Sequence, residues 1–144
     1  MENDVQKLKE WIEKELMISG GREELSYALN SVKEHAKRYI KLSREEGSVT
    51  LLLQARKLQK CWQIYLYLVG KAYGYIAELF KDYSVTNKEL EERLKLPSGT
   101  IKFCLKELRE KDWIISPRRG VHKINHSRIK EVFNALRQEV VESE

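Results

Sequence analysis

Lys102, Lys106 and Arg109 stand at i, i+4 and i+7, so a helix would line up three cationic side chains along one face. A row of cations donates well to phosphate oxygens and to the acceptor edges of bases. Just ahead of them, Ser98 and Gly99 are small enough to let a backbone approach a polyanion closely. Further on, Ser116-Pro117-Arg118-Arg119-Gly120 puts two arginines in a Pro/Gly turn, with Lys123 shortly after. Paired arginines on a turn suit a groove or a phosphate pair. Residues 93–130 hold eleven basic and three acidic side chains, whereas residues 1–48 hold nine basic and ten acidic. The overall charge of +5 is therefore concentrated in one segment, as a nucleic-acid footprint requires.

Other chemistry finds little support. The chain has no P-loop, GxGxxG, HExxH or GxSxG motif, so no enzyme is expected. His122 and His126 are four apart but straddle the end of an expected strand, so they would not share a helix face, and no metal or other cofactor is expected. His35 is expected at a helix surface or boundary. Cys61 and Cys104 lack CxxC spacing and are expected to be small buried hydrophobes in a reducing compartment. The N-terminus has no signal-peptide core, and the most apolar run, residues 61–69, is too short to span a membrane. The expected location is the cytoplasm.

Seven glycines and two prolines in 144 residues leave most of the chain free to be helical. Val5, Leu8, Trp11, Ile12 and Leu16 mark a first amphipathic helix, broken at Ser19-Gly20-Gly21. Glu23 and Glu24 open a second, with a stripe of Leu25, Ala28 or Leu29, Val32, Ala36, Tyr39 and Ile40 that ends at Glu45-Glu46-Gly47-Ser48. A third starts near Val49 and carries Leu51, Leu52, Ala55, Leu58, Trp62, Tyr65, Leu66 and Val69. Gly70 and Gly74 either kink it, end it or admit a second helix. The pattern then continues through Tyr73, Ile76, Ala77, Leu79 and Phe80 to about Tyr83. The tyrosines of this region read as core or interface rings rather than base-stacking platforms. A ligand pocket among Trp62, Tyr65, Tyr73 and Phe80 is a further option.

Thr86-Asn87-Lys88-Glu89 is a capping box, in which Thr86 accepts from the Glu89 amide and the Glu89 carboxylate reaches back. A short helix follows, with Leu90 and Leu94 inward, and stops before Pro97. Ser98 or Thr100 then caps a helix over residues 101–111, with Ile101, Leu105 and Leu108 inward. Asp112-Trp113-Ile114-Ile115 and Val121-His122-Lys123-Ile124 flank the arginine turn as a hairpin. Asn125 or Ser127 caps a last helix with a stripe of Ile129, Val132, Phe133, Leu136 and Val140.

Residues 85–101 and 105–114 resemble the winged-helix transcription regulators common in archaea and bacteria. The resemblance covers about a third of the chain, and the helices up to about Leu68 match no known family. It implies a mainly α fold: N-terminal helices, then a winged helix-turn-helix with a short β-hairpin wing and a C-terminal helix. Two regions are expected, residues 1–69 for dimerisation or partner binding and residues 70–144 for the winged helix-turn-helix. The resemblance also implies that Ser98, Gly99, Lys102, Phe103 and Lys106 contact double-stranded DNA. Thr100 would hold a phosphate, and Arg118 and Arg119 would form the wing contact. Phe103 departs from the pattern, which would have a polar base-reader there. Arg109 and Lys123 join the expected DNA-binding set, and a homodimer is the expected assembly. The expected function is sequence-specific transcriptional regulation; the alternative is a winged helix that docks protein in a macromolecular assembly.

Overall fold

The structure, a computed structural model, describes residues 2–12 and 22–143. Helix α1 (Glu2–Trp11) carries the expected stripe, but Val5, Leu8 and Trp11 are exposed. Leu16 and the break at Ser19-Gly20-Gly21 lie outside the described residues. Helix α2 (Arg22–Ala36) opens with Glu23 and Glu24 at its positive end and buries Leu25, Ala28, Leu29, Val32 and Ala36. His35, beside that stripe, is half-buried and sets its ring edge-on against Phe133.

The expected extension of this helix through Tyr39 and Ile40 does not form. The chain turns into a hairpin, β1 (Ile40–Ser43) and β2 (Ser48–Leu51), in antiparallel register from Ile40↔Leu51 to Ser43↔Ser48. Glu45-Glu46-Gly47 is the hairpin turn rather than a helix end, with Gly47 at φ 61°. That left-handed conformation favours glycine, and the β-branched Val49 and Thr50 suit the strand that follows. The third helix therefore begins later than Val49. A single turn, α3 (Leu53–Arg56), precedes the long α4 (Lys60–Ile76).

Helix α4 is the centre of the molecule. Residues 62–70 are all buried, so it carries no single stripe but is covered all round. The β1–β2 hairpin and α2 pack on it from one part of the chain, and the helix-turn-helix and its sheet from the other. It runs unbroken across residues 69 and 70, where the two expected regions meet. Gly70 is in close contact with the Val49 side chain, and Gly74 with the Phe80 ring. The glycines thus admit a strand and a folded-back ring, not another helix. The helix ends at Ile76 instead of continuing to Tyr83, because Glu78 turns left-handed at φ 62° and the Leu79 and Phe80 amides both donate to the Gly74 carbonyl.

The aromatics of α4 are core. Trp62 and Tyr65 both meet Trp113, with ring centroids 5.4 and 6.2 Å away, while the Tyr73 hydroxyl donates to the Leu29 carbonyl at 2.6 Å. Phe80 folds back against Gly74 and carries Lys71 Nζ 3.9 Å over its ring. Cys61 and Cys104 are not free thiols, as was expected; they form a disulfide between residues 43 apart in sequence, with Cα atoms 5.0 Å apart. The packing of two distant helices makes the pair, which spacing along the chain cannot reveal. The cysteines accordingly lend nothing to the inference of a reducing compartment. No helix among the described residues is long and apolar enough to cross a membrane.

Candidate nucleic-acid interface

After α4 the chain forms β3 (Val85–Thr86), α5 (Asn87–Leu94), α6 (Ser98–Glu110), β4 (Ile114–Arg118) and β5 (Val121–Ile124). The strands make one sheet in the order β3-β5-β4. Helices α5 and α6 are the expected helix-turn-helix, and β4–β5 is the wing.

Half of the capping box is present. Thr86 Oγ1 accepts from the Glu89 amide at 3.1 Å. The Glu89 carboxylate does not reach back; it accepts from the Tyr67 hydroxyl at 2.6 Å and meets Lys71 Nζ at 3.3 Å. The half-buried Glu89 carboxylate thereby pins α5 to α4, and the Tyr67 hydroxyl is pushed up by burial and by that carboxylate. Leu90 is fully buried, and Lys95 closes α5 in a left-handed turn at φ 55°.

Helix α6 starts at Ser98, three residues before the expected Ile101, and ends at Glu110. Pro97 is its N-cap, and neither Ser98 nor Thr100 supplies a side-chain cap. Proline has its φ preset for that junction and cannot itself continue a helix backwards. Ile101, Cys104, Leu105 and Leu108 are buried, which seats the helix on α4 and α5. Lys102, Phe103, Lys106 and Arg109 are exposed, as are Ser98 and Gly99, while Thr100 is half-buried. A Cβ added at Gly99 would meet nothing within 4 Å, so the fold itself leaves that surface open.

In the wing, Ile114 pairs with Ile124, Ile115 with Lys123 and Arg118 with Val121, and the ladder is irregular across Ser116-Pro117. Gly120 turns at φ 76°, and the exposed Arg118 and Arg119 form the tip. Lys123 is less free than expected: it is half-buried, with its ammonium 5.2 Å over the Tyr83 ring.

The wing is tied to the start of α5, a link the sequence did not reveal. The Asn87 amide donates to the Gly120 carbonyl at 3.2 Å, and β3 pairs with β5 through Val85↔His122 and Thr86↔Val121. His122, only 2 % exposed, meets Ser116 Oγ at 2.7 Å through Nδ1 and Asn87 Oδ1 at 2.6 Å through Nε2. Burial, and then the nearby Arg109 charge, lower its pKa to about 4. It is a structural hinge-pin between wing and helix. His126 instead lies 3.3 Å from Glu24. No group of residues that could hold a metal ion occurs among the described residues.

On the far side, Trp113 Nε1 donates to Glu131 at 3.1 Å. Asn125 donates to the Asp112 carbonyl at 2.9 Å and Ser127 to Asn125 at 2.7 Å, so neither caps the last helix as expected. A 3-10 turn (His126–Arg128) leads into α7 (Ile129–Ser143), which lays Ile129, Val132, Phe133 and Leu136 against α2 of the same chain.

The structure leaves Ser98, Gly99, Lys102, Phe103, Lys106 and Arg109 of α6 exposed, sets half-buried Thr100 on the side of the helix away from Arg109, and leaves the wing arginines at a tethered tip. Exposed Lys95, at the turn before α6, adds a further cation outside the expected set. Its only signal in the sequence is its place two residues before Pro97. No curated protein and no solved structure matches the chain. Residues 76–115, from the end of α4 through the helix-turn-helix into β4, match the winged helix-turn-helix DNA-binding family.

Proposed function

We propose that the chain binds double-stranded DNA through α6 and the β4–β5 wing, as a sequence-specific transcriptional regulator. One observation carries the reading. The surface of α6 away from the core holds Lys102, Lys106 and Arg109 free of acidic partners among the described contacts, with small Ser98 and Gly99 at its start. A helix of this shape fits the major groove, and the tethered Arg118–Arg119 tip lies where a neighbouring phosphate or minor groove would be gripped. In this reading Lys102 and Lys106 contact phosphates or guanine edges, Thr100 holds a phosphate, and Arg109 and Lys123 add positive potential.

A homodimer would match a two-fold operator. The exposed Val5, Leu8 and Trp11 of α1 support a role for the N-terminal region in self-association or partner binding. The chromosome as target goes with a cytoplasmic location. The second reading, a protein-docking winged helix, is favoured by one feature, the large exposed ring of Phe103.

Fluorescence anisotropy on a random duplex of roughly 30 base pairs, over a salt series, separates the two readings. DNA recognition requires binding that weakens steeply with salt, by about 0.9 log units per phosphate contacted for each log unit of salt. Absence of binding at low salt would transfer the surface to protein docking.

A further inference from the structure

Phe103 is the one large apolar side chain that α6 exposes, at 61 %. The fold does not need it there. Ile101, Cys104, Leu105 and Leu108 complete the buried face of α6 without it. Gly99, Phe103, Lys106 and Glu110 follow one another at i, i+4, i+7 and i+11, which places them opposite that buried face. Phe103 therefore occupies the centre of the surface that leads into the groove, between the open patch at Gly99 and the ammonium of Lys106.

A phenyl ring has no donor or acceptor for a base edge or a phosphate. In the major groove guanine, cytosine and adenine offer donors and acceptors but no methyl group, whereas thymine adds a 5-methyl. We infer that Phe103 is a specificity-determining residue that reads thymine, by packing its ring on the 5-methyl group in the major groove. The contact would remove apolar surface from water on both partners, and a neighbouring lysine on a phosphate would hold the ring in register. This inference rests on the DNA-binding reading.

The test uses a duplex selected by the wild-type chain from a random pool, remade with deoxyuridine replacing thymine one position at a time. Deoxyuridine keeps the pairing edge and lacks only the methyl. Wild type is expected to bind about fourfold more weakly for each contacted methyl removed. The Phe103→Ala chain should bind the thymine duplex more weakly and be indifferent to the replacement at those positions. Because Phe103 is exposed, this variant keeps its core. Loss of the methyl also alters duplex stiffness, and any effect that Phe103→Ala shares with wild type belongs to that cause. Equal binding of thymine and deoxyuridine duplexes by wild type overturns the inference and leaves DNA binding intact. So does an equal response in both chains. If wild type selects no duplex at all, DNA binding itself fails, and Phe103 becomes an anchor for protein docking.

Discussion

His122 joins three segments through one imidazole. Asn87 Oδ1 is an acceptor, so Nε2 carries the proton, and Nδ1 then accepts from the Ser116 hydroxyl. This neutral tautomer has both ring nitrogens satisfied inside a buried site. A second proton would put a charge where burial and Arg109 oppose it, which is why the pKa falls from 6.5 to about 4. Between those two values the unfolded chain binds more protons than the folded one, so stability falls as pH drops from 6.5 towards 4. The depression corresponds to about 3 kcal/mol at most from this residue. His35, lowered mainly by burial, adds in the same direction. An NMR titration of the imidazole C–H resonances distinguishes them. One histidine should titrate near pH 4 and lose that behaviour in His122→Gln; a His122 resonance titrating near 6.5 would contradict the network. Spacing along the sequence gives His122 no role beyond its place in the wing strand, since its partners lie 6 and 35 residues away.

At the scale of elements, helix-turn-helix and wing were legible because their signals are local. Thr86 capping the Glu89 amide, Pro97 before α6 and Gly120 at the wing tip each act within a few residues. The β1–β2 hairpin was not legible, because Tyr39 and Ile40 continue the helical spacing of Ala36 and both are buried. Packing of the hairpin on α4 adds to the local signals of Gly47, Val49 and Thr50 in taking them out of the helix. Strand β3 is two residues long and exists through its pairing with β5. The site residues on α6 were read from spacing, yet the tether that holds the wing beside them was not, because it crosses between segments. The same holds for the Cys61–Cys104 disulfide, which fastens α6 to the start of α4. Closing a loop of this size constrains the unfolded chain, and removing the bond is expected to cost roughly 2–4 kcal/mol. Urea unfolding of oxidised wild type and of the Cys61→Ser/Cys104→Ser chain should show that gap. Reductant should move wild type to the midpoint of the double variant and leave the variant where it is. Two free thiols in the non-reduced wild-type chain would refute the cross-link.

For the whole molecule, charge and burial divide the labour. One continuous core runs from Leu25 on α2 through α4 to Leu136 on α7, so the helices before and after the helix-turn-helix share its interior. Deforming α6 would disturb that core, which makes the exposed cations a surface held by a rigid frame rather than a mobile patch. The exposed stripe of α1 stands outside this frame. Positive charge is gathered in residues 93–130 while the N-terminal part is nearly neutral. Such a distribution steers one side of the molecule towards a polyanion. In the proposed function, α6 does the binding. The most direct measurement is the salt dependence of duplex affinity for wild type and Lys102→Ala/Lys106→Ala, with thermal unfolding of both as a control for folding. Both lysines are exposed, so the unfolding curves should coincide. If both contact phosphate, the log–log slope should become shallower by about 1.8, twice the value for one phosphate, and affinity at low salt should fall. An unchanged slope and affinity in the folded double variant would remove α6 from the interface.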